Sequence, residues 1–439
     1  MLTICDASIK RASSRTRLKL GVSACLAGLL VVLPASASQE VKALNLQEAI
    51  KSTLSKNPDL NVFQFRQDAL NGQLQTAQLK PGFELNVSAD NVAGSDEYSG
   101  TDQAEWTVAL SSTIELGGKT KARVALANSG LGRLEAQQQV QALATLGNVT
   151  RQYIQVLAAQ ERVVLAQTSF TLSQQTLNQV KKRAKAGAAP KAEVLRAQAA
   201  SIHAQLKLTA QQQSLDSLKV ALAAQWGDTQ VDFSRVTGNL YEFGQDTSFA
   251  ELLEKLKQNP ALEVFAAQEH LQAAQLRLAQ TQSSADIGWS LGVKQFQQSN
   301  SNALVAGMSM PLFSGSRNKG AVRRAHAQLN EAAANKDAAL LRLRTQLYQS
   351  FSRRQQAINN ANTLRKEVVP TLTLALKETQ KAYENGRYRY VDYVSAQQDL
   401  LSARGALIDA AAAALTFGAE IEQLSALPIA LSPQRENSY

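Results

Sequence analysis

Cysteine is nearly absent from this chain. Its 439 residues hold two, Cys5 and Cys25, both within the first 37 positions. With that stretch removed as a leader, no thiol remains, which excludes a disulfide framework and a thiolate metal site. Histidine is as scarce: His203, His270 and His326 stand far apart, and no cluster has metal-ligand spacing. No metal site and no cofactor is expected. Proline numbers nine and aromatics make up 5%, against plentiful Ala, Gln, Leu and Lys, a composition built for helix. That balance excludes a mostly-β enzyme and a disordered tail. Catalytic signatures are missing too: no Gly-rich phosphate loop, no paired Cys and no His-Glu zinc motif, so the chain is not expected to be an enzyme. Past residue 37 no apolar run approaches about 18 residues, and no helix is expected to span a bilayer.

Charge excludes a further class. The formal net charge is +10, but Lys10, Arg11, Arg15, Arg17 and Lys19, against Asp6, crowd the N-terminus. What is left is too dilute for a nucleic-acid-binding stripe, and no nucleic-acid partner is expected. The N-terminal cations precede a mostly apolar stretch, Leu20 to Leu33, then Pro34 and Ala35-Ser36-Ala37. Residues 1–37 thus read as a secretory signal peptide rather than a retained anchor. Val22-Ser23-Ala24-Cys25 could also be a lipid-attachment box, but most of the apolar run follows Cys25 instead of preceding it, which is the wrong order.

The chain repeats itself. Leu54-x-x-Asn57-Pro58-x-Leu60-x-Val62-Phe63 returns as Leu256-x-x-Asn259-Pro260-x-Leu262-x-Val264-Phe265. Gly187 followed by Val194-Leu195-Arg196-Ala197-Gln198 returns as Gly386 followed by Tyr393-Val394-Ser395-Ala396-Gln397. A period of about 200 residues is a duplicated half-molecule, not a solenoid of short units. The expected organisation is a first repeat over 38–225, a linker over 226–248, a second repeat over 249–418 and a tail over 419–439. Each repeat has a first helical stretch (Leu44 to about Lys80; Phe249 to about Gln282), a strand hairpin (83–116; 286–313), a very long helix, a turn (183–190; 383–390) and a last helix. From Gly320 to Gly386 only Pro370 interrupts, leaving about 64 helical residues, or roughly 95 Å. Helices of that length must pack side by side as a coiled-coil-like array. Taken alone they fit a periplasmic spacer.

The hairpins decide otherwise. Phe83, Leu85, Val87 and Ala89 alternate with Glu84, Asn86, Ser88 and Asp90; Trp106, Val108 and Leu110 alternate with Glu105, Thr107 and Ala109. Ile287, Trp289, Leu291 and Val293 alternate with Gly288, Ser290, Gly292 and Lys294, and a noisier set runs from Leu304 to Leu312. Period-two alternation marks strands with one apolar and one polar face. Two ordinary hairpins packed on helices would give the same pattern. Glu84, Asp90, Glu105, Glu115 and Lys294 suit a watery lumen better than a dry core. Unpaired strand edges are forbidden in a bilayer. Four strands cannot close a pore, since about eight give only a filled interior, so three protomers or more are expected.

These features resemble the TolC family of outer-membrane efflux proteins, over nearly the whole chain past residue 37. The resemblance rests on the duplicated half with one hairpin each, on Ile114-Glu115-Leu116-Gly117-Gly118-Lys119-x-x-Ala122-Arg123 and on Met310-Pro311-Leu312-Phe313-x-Gly315-x-Arg317-Asn318-x-Gly320. Those two stretches look most like the cobalt–zinc–cadmium efflux branch. The resemblance implies a mainly α homotrimer with a twelve-stranded β-barrel among outer-membrane lipids and an α-barrel tunnel through the periplasm. It also implies a periplasmic adaptor and an inner-membrane pump as partners. The cargo would be divalent heavy-metal cations, with drug efflux or type I secretion as the alternative, or less readily a periplasmic adaptor or scaffold.

The two helix-to-helix turns would form the periplasmic mouth. Gly187 and Gly386 suit the left-handed residue that ends a helix, and Pro190 suits the start of the next. Arg183 to Gly187 matches the family's Arg-x-x-x-Gly tip, where adaptors dock; Gly386 and Arg387 mark the second tip, which has Ala382 in the arginine's place. Tyr390-Val391-Asp392-Tyr393-Val394 resembles the segment that carries an acidic ring at the closed entrance. Asp392 is the candidate there, with Glu193 in the matching place of the first repeat and Arg387, Arg389 and Tyr390 as groups that hold the mouth shut.

Overall fold

The computed structural model describes residues 43–245 and 247–425. The expected signal segment with Cys5 and Cys25, and residues 426–439 of the tail, lie outside them. The chain opens on a two-residue strand, β1 (Ala43–Leu44), and helices α1 (Leu46–Lys56) and α2 (Pro58–Gln78). Strands β2 (Glu84–Asp90) and β3 (Glu105–Ile114) lead to α3 (Lys119–Lys185) and α4 (Lys191–Ala223). The linker holds β4 (Arg235–Val236). The second half repeats the order with α5 (Phe249–Leu256), α6 (Pro260–Thr281), β5 (Ile287–Phe296), β6 (Ser301–Ser309), the single turn α7 (Ser314–Arg317), α8 (Lys319–Thr363), α9 (Val369–Glu384) and α10 (Tyr390–Ser425).

Each expected first helical stretch is in fact two helices. The break falls at Asn57 and Asn259, both extended at ψ 124° and 131°. Proline follows each, and its missing N–H cannot continue the preceding ladder but suits a first helical turn. Both asparagines then serve two helices at once. Asn57 Oδ1 accepts the Asp59 N–H (2.9 Å) while its amide donates to the Gln225 carbonyl (2.7 Å) just past α4. Asn259 Oδ1 accepts the Ala261 N–H (2.7 Å) while its amide donates to the Leu424 carbonyl (2.8 Å) at the end of α10. The repeat seen in sequence is therefore a repeat of contacts.

Around the upper half the helices run α2, α3, α6, α8, each packed on the next. Below the middle, α3 packs on α4 and α10 on α8 and α9. At 67 residues, α3 is about 100 Å long. Its counterpart is not one uninterrupted α-helix: a π-helical stretch, Leu364–Val368, separates α8 from α9, just before Pro370. The wider π turn accommodates the donor that Pro370 lacks.

The main core lies at mid-height, where Val149, Ile154, Leu157, Leu222, Trp226, Phe233, Leu240 and Leu415 meet. There β1 and β4 form a short parallel ladder absent from the sequence reading. The Tyr153 hydroxyl is shared between the carbonyls of Leu44 (3.0 Å) and Thr237, and Gln160 pairs with both the N–H (2.8 Å) and C=O (3.1 Å) of Val236. The linker is thereby stitched to α3 by side chains that act as a strand neighbour. One departure concerns α10. Among the described residues it alone is long and apolar enough to cross a membrane by length and composition. Its Ala-rich surface is instead packed against α3, α8 and α9.

Candidate functional site: the membrane sheet and the helical tips

Strands β2, β3, β5 and β6 form one antiparallel sheet in that order. Register puts Leu85, Leu110, Leu291 and Ala306 in one row and Val87, Val108, Val293 and Leu304 in the next. Alternation therefore builds one continuous apolar face. It is bare: Leu304 is 82% exposed, Met308 81% and Leu85 69%. The opposite face carries Glu84, Asp90, Glu105, Ser111, Ser290 and Lys294. Lys294 bonds Glu105 at 2.6 Å and lies 3.6 Å from Asp90, so its charge is matched across three strands. Gly292 makes room on this face; a Cβ there would sit 2.5 Å from the Val108 carbonyl. The sheet's two outer edges, on β2 and β6, have no strand partner among the described residues. The last strand differs from expectation in extent. It spans Ser301–Ser309, leaving Met310 to Phe313 outside it, with Pro311 unable to donate to a ladder.

Two ion pairs fix the sheet to the helices, and the sequence reading did not foresee them. Arg123 grips Glu115 through both amino groups (2.5 and 2.9 Å), and the Thr120 hydroxyl adds 2.8 Å. The bond from Arg123 holds the Glu115 carboxyl below its ordinary value. Asp286 accepts from Lys119 Nζ (2.6 Å) and the Leu116 N–H (3.1 Å). Burial pushes that carboxyl up, but the bonds from Lys119 and Leu116 and the nearby cations outweigh it, and the net shift is downward. The Glu115…Arg123 spacing of eight was visible in sequence; the partner of Lys119, 167 residues away, was not.

At the far end, the two turns have one geometry. Gly187 and Gly386 take φ of 76° and 75°. Ala188 N–H bonds the Arg183 carbonyl and Arg387 N–H bonds the Ala382 carbonyl, each at 2.9 Å. Arg183 itself is half-buried. Its guanidinium lies 4.4 Å above the Tyr383 ring and donates to the Tyr383 carbonyl, so it ties the first turn to the second. Gln179 reaches Glu384 at 2.9 Å beside it. Tyr383 is 1% exposed, stacks on Tyr393 with centroids 5.3 Å apart, and its hydroxyl has no hydrogen-bond partner among the described residues.

Among the other mouth candidates, the structure joins Arg389 to Asp392 and leaves Tyr390 apart. Asp392 accepts the Arg389 N–H (3.1 Å) and lies 3.4 Å from its Nε, capping α10. That N–H, then the guanidinium, hold the Asp392 carboxyl below its ordinary value. Tyr390 is buried with Tyr383, Tyr393 and Leu400. Burial raises its hydroxyl pKa, and the Glu193 charge nearby adds to that. Glu193 is half-buried on the first turn of α4, while Arg387 is exposed. Tyr383 escaped the sequence reading, although four tyrosines within eleven positions stand out in a chain this poor in aromatics. No group of His, Cys, Asp and Glu able to hold a metal occurs among the described residues.

A sheet apolar on its outer face and polar on its inner one, standing on helices about 100 Å long, is one part of an outer-membrane duct. The chain belongs to the outer membrane efflux protein family, whose sequence profile matches residues 49–228 and 252–426. It is 26% identical over 381 residues to the cobalt-zinc-cadmium resistance protein CzcC of Cupriavidus metallidurans, covering 85% of this chain and 88% of that one. Its fold matches a membrane protein from Pseudomonas aeruginosa (TM-score 0.73, 17% identity, 87% of this chain and 90% of that). It also matches the outer membrane protein VceC of Vibrio cholerae (TM-score 0.70, 21% identity, 87% and 96%). The protein is thus an outer-membrane exit duct for efflux, with a β-barrel part in the membrane and a helical tunnel in the periplasm.

Proposed function

We propose that three copies close a twelve-stranded barrel and conduct divalent heavy-metal cations outward, received from an inner-membrane pump through a periplasmic adaptor. The sheet carries this reading: its outer face is apolar, its inner face is polar and both its edges need partners, which a bilayer requires to be strands. Three copies make the smallest ring that encloses water. The metal cargo is supported by the similarity to the cobalt-zinc-cadmium resistance protein. A passive duct needs no ligand cluster to pass a hydrated ion.

At the mouth, the adaptor docks on the exposed turns through Gly187, Gly386 and Arg387, with Arg183 keeping the two turns in register. Three copies of Asp392, with Glu193 nearby, concentrate negative charge there and favour cations. Arg389 and Tyr390 set the geometry of the closed state. Two measurements test this. A strain deleted for the protein is challenged with zinc, cobalt, cadmium, nickel and copper beside dyes and antibiotics; hypersensitivity confined to the metals is expected, and sensitivity to amphiphilic drugs alone removes the metal cargo. In planar bilayers Asp392→Ala with Arg389→Ala raises ion leakage; unchanged single-channel conductance discards the gate.

A further inference from the structure

The turn between β6 and α8, with the start of that helix, carries charge of one sign only. From Met310 to Asn330 the sequence holds Arg317, Lys319, Arg323 and Arg324 and no Asp or Glu. None of these four cations is in an ion pair among the described residues, whereas Lys119 and Arg123 at the start of α3 are both consumed by Asp286 and Glu115. Beside them lies an open cavity of about 530 Å³, lined by Ser283, Lys319, Arg323, His326 and Asn330 over Val322.

Its height in the membrane follows from the strands. Nine to ten residues, tilted, cross the apolar band of an outer-membrane barrel. The band therefore ends near Ser309 and Ile287, and the first turns of α8 fall in the headgroup layer of the periplasmic leaflet. The intervening segment is amphipathic. Met310, Leu312 and Phe313 are exposed, Phe313 by 78%. Phe313 also holds a left-handed φ of 61°, a strained state for an aromatic residue that persists only where the surroundings enforce it. The Ser316 hydroxyl bonds its carbonyl at 2.9 Å.

Exposed apolar side chains just before the helix and two cations lining a cavity at its start match one molecule in outline: acyl chain, phosphate and small polar headgroup. We propose that Lys319 and Arg323 bind the phosphate of an anionic phospholipid of the periplasmic leaflet, its acyl chains lying along Met310, Leu312 and Phe313. Arg323 presents a planar donor fork to the phosphate and Lys319 a point charge. The site lies next to the seam that β6 presents to a neighbouring protomer, so a bound lipid would brace the assembled barrel.

The test uses the full-length protein, purified as its native oligomer and exchanged into nanodiscs of phosphatidylglycerol or of phosphatidylcholine. Phosphatidylglycerol should be retained in native mass spectra and should raise the temperature at which the oligomer dissociates. Lys319→Ala with Arg323→Ala should weaken retention about tenfold, the scale of one charge-assisted hydrogen bond. Arg324→Ala, on the same helix but outside the cavity, should leave it unchanged. Equal retention of phosphatidylcholine by the unaltered protein overturns the proposal without any variant. So does full retention by the double variant. Inorganic phosphate that displaces the lipid and gives the same thermal gain would make this a free-phosphate site and refute the lipid assignment.

Discussion

The Arg183–Tyr383 contact can be perturbed in parts. Arg183 stacks on the ring at 4.4 Å and bonds the backbone carbonyl of the same residue. A cation over an aromatic face contributes about 0.5–1 kcal/mol when exposed and about 2 when desolvated; with Arg183 half-buried, ~1–2 kcal/mol is the expected ring term. A bond from a charged donor to a carbonyl adds about 1.5–3 kcal/mol. Arg183→Ala removes both, and Tyr383→Leu removes only the ring. The double-mutant cycle should thus show ~1–2 kcal/mol of coupling, about a five- to thirtyfold change in the ratio of shut to open mouths. Tyr383→Phe supplies the control. It keeps the ring and deletes a buried hydroxyl that has no partner, so it should leave the mouth shut and stabilise the chain by up to about 1 kcal/mol. The assay is open probability in planar bilayers with unfolding followed in parallel. Additive effects of Arg183→Ala and Tyr383→Leu, or a Tyr383→Phe channel as leaky as Tyr383→Leu, would refute the clasp.

Asn259→Ala removes a helix cap and two bonds to the end of α10 at a site 2% exposed, and should cost about 2–4 kcal/mol in thermal unfolding; a loss under 0.5 kcal/mol would show the bonds to be idle. Gly292→Val would press a side chain into the Val108 carbonyl and Ala109, parting β3 from β5, and should lower the yield of assembled oligomer in the outer membrane; normal yield contradicts the register. Glu115 and Asp286 titrate below their ordinary values of 4.5 and 3.8 in the folded chain. Their stabilisation is therefore complete above those values and is lost as pH falls through the folded pKa. The difference in melting temperature between the unaltered protein and Asp286→Asn should be constant from pH 7 to about 5 and shrink below about 4; a difference that widens toward acid would reverse the assignment.

The duplicated halves, the hairpins and the tip glycines were legible because each rests on local rules. Alternation sets which strand face is apolar, glycine alone tolerates the φ at a tip without strain, and Asn-Pro recurs where one helix stops and the next begins. That same Asn-Pro motif marked a break that a single long helix hid, since helical composition continues on both sides. Other features have no local signal. The parallel pairing of β1 with β4 joins residues about 190 positions apart through a tyrosine and a glutamine on α3. The partner of Lys119 is Asp286, and the partner of Arg183 is not a carboxylate but a tyrosine ring. By itself the sequence determined the repeat, the membrane-facing side of every strand and the outward destination of the chain, because periodicity and composition survive in one dimension. Only the tertiary structure decided which charges are consumed by a partner and which stand unpaired among the described residues, because burial and distance exist only once the helices lie side by side.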